Sequence, residues 1–170
     1  MAINFAGGEQ THASVPLQVQ VQTKKDTFTR SGAMGTVTGL YAQITPSSTN
    51  SKILILVSLH GQGNGGQRLC YGLRRDRASD SSSVTDDFSG DASGSRTRAI
   101  GSVYPEGGNS QHSMGFITVD SPSTTSQLTY YVLVGAEGSQ PFYLNYSEDD
   151  SDSATVHRTA SSITVMEFGS

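Results

Sequence analysis

Gly39-Leu40-Tyr41-Ala42-Gln43-Ile44-Thr45-Pro46-Ser47-Ser48-Thr49-Asn50-Ser51-Lys52 runs directly into Ile53-Leu54-Ile55-Leu56-Val57-Ser58-Leu59-His60. Leu40, Ala42 and Ile44 alternate with Tyr41, Gln43 and Thr45, the period of two of a strand with one face buried. Pro46 withdraws a backbone donor, and the Ser-Ser-Thr-Asn-Ser run offers hydroxyls and an amide to a reversing chain, so the alternation ends in a turn. The block beyond the turn is apolar at every position from 53 to 57. Both faces of that strand therefore need cover, one from an opposing sheet and one from something else, with a neighbouring subunit as the candidate. Strand, polar turn and buried strand together open an antiparallel β-sandwich.

Working outward in both directions, the same period recurs. Leu17, Val19 and Val21 alternate with Gln18, Gln20 and Gln22 until Lys24-Lys25-Asp26 closes the run. Further strands are expected over about 36–45, 52–60, 67–76, 96–104, 112–120, 128–136, 141–146 and 161–168. Residues 1–14, with Gly7-Gly8 and few large apolar groups, read as an N-terminal arm whose order depends on packing against something else. Residues 15–170 form a single sandwich domain. Two long polar segments, 77–95 and 147–160, separate strands. Long loops on a rigid sandwich are where recognition surfaces tend to lie, and Val84 and Phe88 are the expected anchors of the first.

Composition agrees with this fold class. A chain of 170 residues buries roughly 70% of its unfolded surface in one domain without a covalent staple. With 34% hydrophobic and 15% charged residues, its surface is built from Ser, Thr, Gln, Asn and Gly rather than from the Lys, Glu and Arg of helical surfaces. A net charge of −4 supplies no basic field for nucleic acid or an anionic membrane. Arg68, Arg74, Arg75 and Arg77 gather near one strand, but Asp76, Asp80, Asp86 and Asp87 follow them, which reads as local pairing. The single Cys70 has no intrachain partner and reads as a small buried hydrophobe. No segment approaches the roughly 20 apolar residues of a membrane span, and Met1 does not open a secretion leader, so no membrane insertion is expected.

Candidate chemistry is sparse. Gly61-Gln62-Gly63-Asn64-Gly65-Gly66 has the glycine spacing of a dinucleotide loop, but strand-like residues follow where a helix N-terminus would have to supply amide donors, so it reads as a flexible hairpin loop. His12, His60, His112 and His157 are scattered, and no nucleophile elbow is present, so no catalytic residue and no cofactor is assigned. Within the acidic run Glu148 to Asp152, Asp149, Asp150 and Asp152 are the candidate calcium ligands, although the run lacks the glycine and terminal Glu of a calcium loop. Tyr143 and Tyr146 flank that run and offer flat apolar faces with polar tips, which makes them the candidate ligand contacts. Leu54, Leu56 and Tyr131 are the candidate subunit-interface residues.

Four segments in order resemble a domain that recurs in virion surface proteins of bacteriophages of aquatic bacteria, tail fibres in particular. They are Leu40 to Leu59; Gly94-Ser95-Arg96-Thr97-Arg98; Asp120-Ser121-Pro122-Ser123-Thr124-Thr125-Ser126 before Leu128-Thr129-Tyr130-Tyr131; and Arg158 to Phe168. The resemblance implies a jelly-roll-like sandwich, similar in kind to tumour-necrosis-factor-like heads, assembled as a homotrimer on a virion, and it carries no catalytic residues. In many members the domain ends a much longer fibre, whereas here it begins about 15 residues after Met1. The expectation is a non-enzymatic virion structural protein, made in the host cytoplasm. As a tail-fibre tip or receptor-binding module it would touch host surface glycans. As a capsid decoration protein it would clamp neighbouring head subunits. A host-polysaccharide depolymerase, which would need a concave groove with paired carboxylates at glycosidase spacing, ranks last, because the long β-helix such spikes often use is not evident.

Overall fold

The structure, a computed structural model, describes residues 15–63, 66–105 and 111–169. Eleven strands follow in order: β1 (Gln18–Lys24), β2 (Phe28–Ser31), β3 (Gly35–Ile44), β4 (Lys52–Gly63), β5 (Leu69–Arg77), β6 (Ser83–Val84), β7 (Gly101–Val103), β8 (His112–Asp120), β9 (Leu128–Ala136), β10 (Pro141–Leu144) and β11 (Ser161–Phe168), with a 3-10 turn over Asp86–Phe88 between β6 and β7. All pairings are antiparallel and fall into two sheets.

Several of these strands are halves of one. Along a single edge of β4, residues 52–58 pair with β11 and residues 61–63 with β10, while β1 and β2 continue outward against β11 and β10. Joining the halves, the first sheet runs β1/β2, β10/β11, β4, β8 and the second runs β3, β9, β5, β6/β7. Eight composite strands in that order, with every connection but the one from β5 to β6/β7 crossing between layers, constitute a jelly roll.

Alternation fills the space between the layers. Ile53, Ile55, Val57 and Leu59 of β4 and Ile163 and Val165 of β11 face Leu40, Ala42 and Ile44 of β3, Leu73 of β5 and Leu128, Tyr130, Val132 and Val134 of β9, all buried. Each valine, leucine and isoleucine among them contributes about 1.5–3 kcal/mol on leaving water. Between β3 and β9 the register shifts between Thr36 and Tyr41, where Gly39 takes a left-handed φ of 79° and lets the strand bulge.

Two expectations change. The strand expected over 96–104 shrinks to Gly101–Val103, because the preceding residues leave the sheet edge and fold back so that Gly90 N–H donates to the Ala99 carbonyl. The glycines at 61 and 63 belong to buried strand rather than to a loop. They pair with Leu144 and Phe142, and a Cβ on Gly61 would stand 2.6 Å from the Tyr143 carbonyl, so glycine there permits close backbone approach.

Candidate functional site

The outer face of the first sheet carries an apolar surface laid out in register. Val19, Met166, Leu54 and Val119 stand side by side across β1, β11, β4 and β8, and one step along stand Val21, Thr164, Leu56 and Ile117. Directly paired residues project from the same face, so these two rows form one patch. Ile117 is 70% exposed, Val21 61%, Val119 58% and Val19 44%. Beside the patch, Ser58, Gly115 and Ser162 leave a shallow hollow bordered by Leu56 and Ile117.

The two-sided apolar character of β4 thus resolves into an inner set against the opposing sheet and an outer set, Leu54 and Leu56, at the centre of this patch. Tyr131 stands apart from them. It projects from the outer face of the second sheet, its ring 5.5 Å from that of Tyr41 and 4.7 Å below the Arg74 guanidinium. Sequence reasoning did not single out Ile117 and Val119, although the signal was present: β8 carries Met114 and Phe116 on one parity and Ile117 and Val119 on the other, the same two-sided pattern as β4.

Toward the far end of β4, the loop between β10 and β11 leaves what is otherwise a continuous strand and returns to it. Asn145 closes its base. This buried residue, at a φ of 66°, donates from its backbone N–H to the His60 carbonyl at 2.8 Å and accepts from Thr159 N–H at 3.1 Å. Its side-chain amide donates to the carbonyls of Lys24 and Asp26, both at 2.9 Å, and its Oδ1 accepts from the Ser161 hydroxyl at 2.7 Å. One side chain therefore pins the break between β1 and β2 to the break between β10 and β11.

Tyr143 and Tyr146 meet at this base, their rings edge to face at 5.3 Å. The Tyr146 hydroxyl hydrogen-bonds the Thr29 hydroxyl, and the Arg158 guanidinium lies 5.5 Å from the Tyr146 ring. Burial first, then the nearby Glu148 carboxylate and Tyr146, push the Tyr143 phenol above its ordinary pKa, so it stays a neutral donor. The aromatic pair, a guanidinium and a hydroxyl form a small amphipathic corner.

The carboxylates of the loop do not gather into a cation cage. Asp150 turns to Arg158 at 2.6 Å, Asp149 accepts from Ser151 N–H at 3.3 Å within its own turn, and Asp152 is exposed. Among the described residues no three His, Cys, Asp or Glu side chains converge on one point.

Two further polar centres, both structural, escaped sequence reasoning. Between the sheets, Arg75 Nη1 donates to both carboxylate oxygens of Asp120 at 2.6 Å, and Tyr130 donates its hydroxyl to the same group at 2.6 Å. Phe88, carried by the 3-10 turn, packs edge-on against Tyr130 and anchors the 77–95 segment as expected, whereas Val84 lies in the short β6 pairing with Arg75. At the end of the first sheet, buried Glu167 accepts from Gln18, from the Ser47 N–H and hydroxyl at 2.7 and 2.6 Å, and from the Ser51 hydroxyl at 2.6 Å. Burial pushes this carboxyl up, but those donors outweigh it and hold it down to about 2.

The strand order defines a protein of the jelly-roll class. No family model matches the chain, and no curated protein does. Among solved structures, it is similar to Eiger TNF from S. frugiperda at 9% identity, over 91% of this chain and 94% of that one, with a TM-score of 0.48. It is also similar to chains of infectious bursal disease virus, Gt strain (12% identity, TM-score 0.44) and Gx strain (13%, 0.45), over 98% of this chain. It spans 46% and 44% of those two viral chains. No family is assigned from these likenesses. The described residues contain no helix long and apolar enough to cross a membrane.

Proposed function

We propose that this protein is a non-enzymatic bacteriophage virion component, a homotrimeric surface module that presents its loops to host glycans as a tail-fibre tip or receptor-binding protein. The observation that carries the reading is the exposed apolar patch across β1, β11, β4 and β8. A patch of this extent on a soluble module marks an interaction surface. Its occupant is two further copies of the chain, because the patch is apolar and its hollow at Ser58, Gly115 and Ser162 adjoins the projecting Ile117. The trimer is the assembly that the phage-domain resemblance implies.

The arrangement of the poles supports presentation. Leu17 N–H donates to the Glu167 carbonyl and Phe168 pairs with Lys52, so both ends of the described chain emerge at one pole. The Tyr143 and Tyr146 corner lies toward the other, with Tyr143 opposite Gln62 near the end of β4, a strand spanning roughly 35–40 Å. A module held by its chain ends turns that corner outward.

Light scattering tests the assembly. Three copies of a 17.9 kDa chain give about 54 kDa, and a mass near 18 kDa at micromolar concentration removes the reading. Antibody labelling of intact particles then separates a tail site in tens of copies at most from a head-decorating protein in hundreds.

A further inference from the structure

Apart from the apolar patch and the tyrosine corner, one more surface is shaped for a ligand. A groove of about 690 Å³ opens where the start of β5, β7 and the segment 90–100 meet, a volume in the usual range for small-ligand sites. Leu69, Ile100 and Ala136 give it an apolar floor, Thr97 and Ser102 add hydroxyls, and Arg68, Arg96 and Arg98 border it.

The three arginines are not equivalent. Arg98 Nε donates to the Gly90 carbonyl at 2.8 Å and so helps hold the segment that walls the groove. Arg68 is exposed, makes a 3.3 Å contact with the exposed Glu137, and stacks its guanidinium 5.6 Å from the Tyr104 ring centre, itself an exposed aromatic. Arg96, also exposed, meets only the Ser93 carbonyl and hydroxyl among the described residues, at 3.3 and 2.8 Å. It makes no ion pair among the described residues, and the three guanidiniums that line the groove outnumber the two carboxylates, Asp91 and Glu137, that line it as well.

An arginine fork matches a carboxylate in plane and in charge, a tyrosine face matches the C–H face of a pyranose, and hydroxyls match ring hydroxyls. We infer that this groove, bordered by Arg96 and Arg68 with Tyr104 beside Arg68, binds a uronic-acid residue of an acidic polysaccharide. The inference rests on the glycan-binding reading and gives it a place and a charge. A nucleic acid is the poorer fit: the chain carries a net charge of −4, and the groove holds one or two sugar rings rather than a tracked backbone. The groove also lies toward the pole opposite the chain ends, since Leu69 at its floor pairs with Ala136 and packs against Gly63 at the end of β4.

Calorimetry on the full chain tests the assignment, with trigalacturonic acid as probe, its methyl ester as the neutral isostere and inorganic phosphate as the bare anion. The expected result is binding of the acid and at least about ten-fold weaker binding of the ester, the worth of one charge-assisted pair. Arg96→Gln, an exposed change that leaves the fold intact by circular dichroism, is expected to weaken the acid by a similar factor, with Arg68→Gln as the second variant. Equal binding of acid and ester, no response to either variant, or phosphate binding as tightly as the trisaccharide overturns the groove. If binding is instead lost in Tyr143→Ala or Tyr146→Ala, the groove falls while the glycan reading stands. Absence of binding to the acid, the ester and purified host surface polysaccharide removes both.

Discussion

At the scale of single residues, stability concentrates in two carboxylates that face inward from otherwise apolar strands. Glu167 follows Ile163 and Val165 on the inner parity of β11, and three of its four accepted hydrogen bonds fix the Ser47 to Ser51 turn against that strand, the fourth coming from Gln18 of β1. Because its folded pKa of about 2 lies below the ordinary 4.5, the unfolded chain binds the extra proton first. The stabilisation is therefore complete above pH 4.5 and fades as pH falls toward 2. A shift of this size corresponds to roughly 3 kcal/mol as an upper limit, and exposure of Ser47 to solvent brings it to about 2. Glu167→Gln should lower stability at pH 7 by about that amount and flatten its decline between pH 5 and 2, read from urea midpoints across pH. Asp120 is the second carboxylate. Asp120→Asn leaves the buried Arg75 guanidinium without its counter-charge, at a cost of about 3–5 kcal/mol, since Asp87 at 3.9 Å is a largely exposed substitute. Arg75→Met combined with Asp120→Leu should cost less than Asp120→Asn alone, as thermal unfolding of the set would show. Greater loss in the pair would mean that the ion pair stabilises beyond its desolvation.

At the scale of elements, alternation and turn chemistry made most strands legible, and the misses have physical causes. The turn at Pro46 to Ser51 and the strands on either side lie where the sequence put them, because a one-residue slip would expose the whole inner set of β3 and β4. Of the strand expected over 96–104, only Gly101–Val103 pairs with β5, and nothing in Arg96-Thr97-Arg98-Ala99 signals that the chain before it turns away. The partners of Asp120 were hidden for another reason: Arg75 is 45 positions away, and the Asp-Ser-Pro sequence reads equally well as a plain strand terminator. In the candidate site, Tyr143 and Tyr146 were legible as a pair because they are neighbours in sequence. The arginine groove was not, because it joins the start of β5 to a segment with no periodicity. Asn145 is the element-scale device that no pattern announces. Its removal should release both strand breaks together. Asn145→Ala loses three buried side-chain hydrogen bonds and forces alanine into left-handed backbone, at about 3–4 kcal/mol. Asn145→Gly keeps the backbone and should be milder by about 1 kcal/mol. Chemical denaturation ranks the two, and faster protease cleavage within 147–158 in both variants checks that the loop base has opened. Equal costs would show that backbone strain is absent and the side-chain bonds carry everything.

At the scale of the whole molecule, the question is why a jelly roll with a complete core keeps apolar residues on its outside. Ile53, Ile55, Ile163 and Val165 already fill the interior, and Leu54 and Leu56 are half-buried, but Ile117 and Val119 are mostly exposed and add little to the fold of one copy that serine or threonine would not. β1 sharpens the point. Its apolar residues Val19 and Val21 face outward, while Gln20 and Gln22 on the other parity are exposed as well, so neither face of β1 over 19–22 is covered within one copy. Association across this face predicts a separation of fold from assembly. Ile117→Asp with Val119→Asp lies on an edge strand at positions that are mostly solvent-exposed in one copy, so the altered chain should fold with an unchanged β spectrum and within about 0.5 kcal/mol of the parent monomer. The same carboxylates, buried against a second copy without a partner, would each cost several kcal/mol, enough to dissociate the complex at micromolar concentration. Light scattering should then fall from about 54 kDa to 17.9 kDa, and thermal unfolding should lose its dependence on protein concentration. A variant that keeps the larger mass would move the interface off this face, with Tyr131 and Tyr41 on the opposite sheet as the next surface to alter.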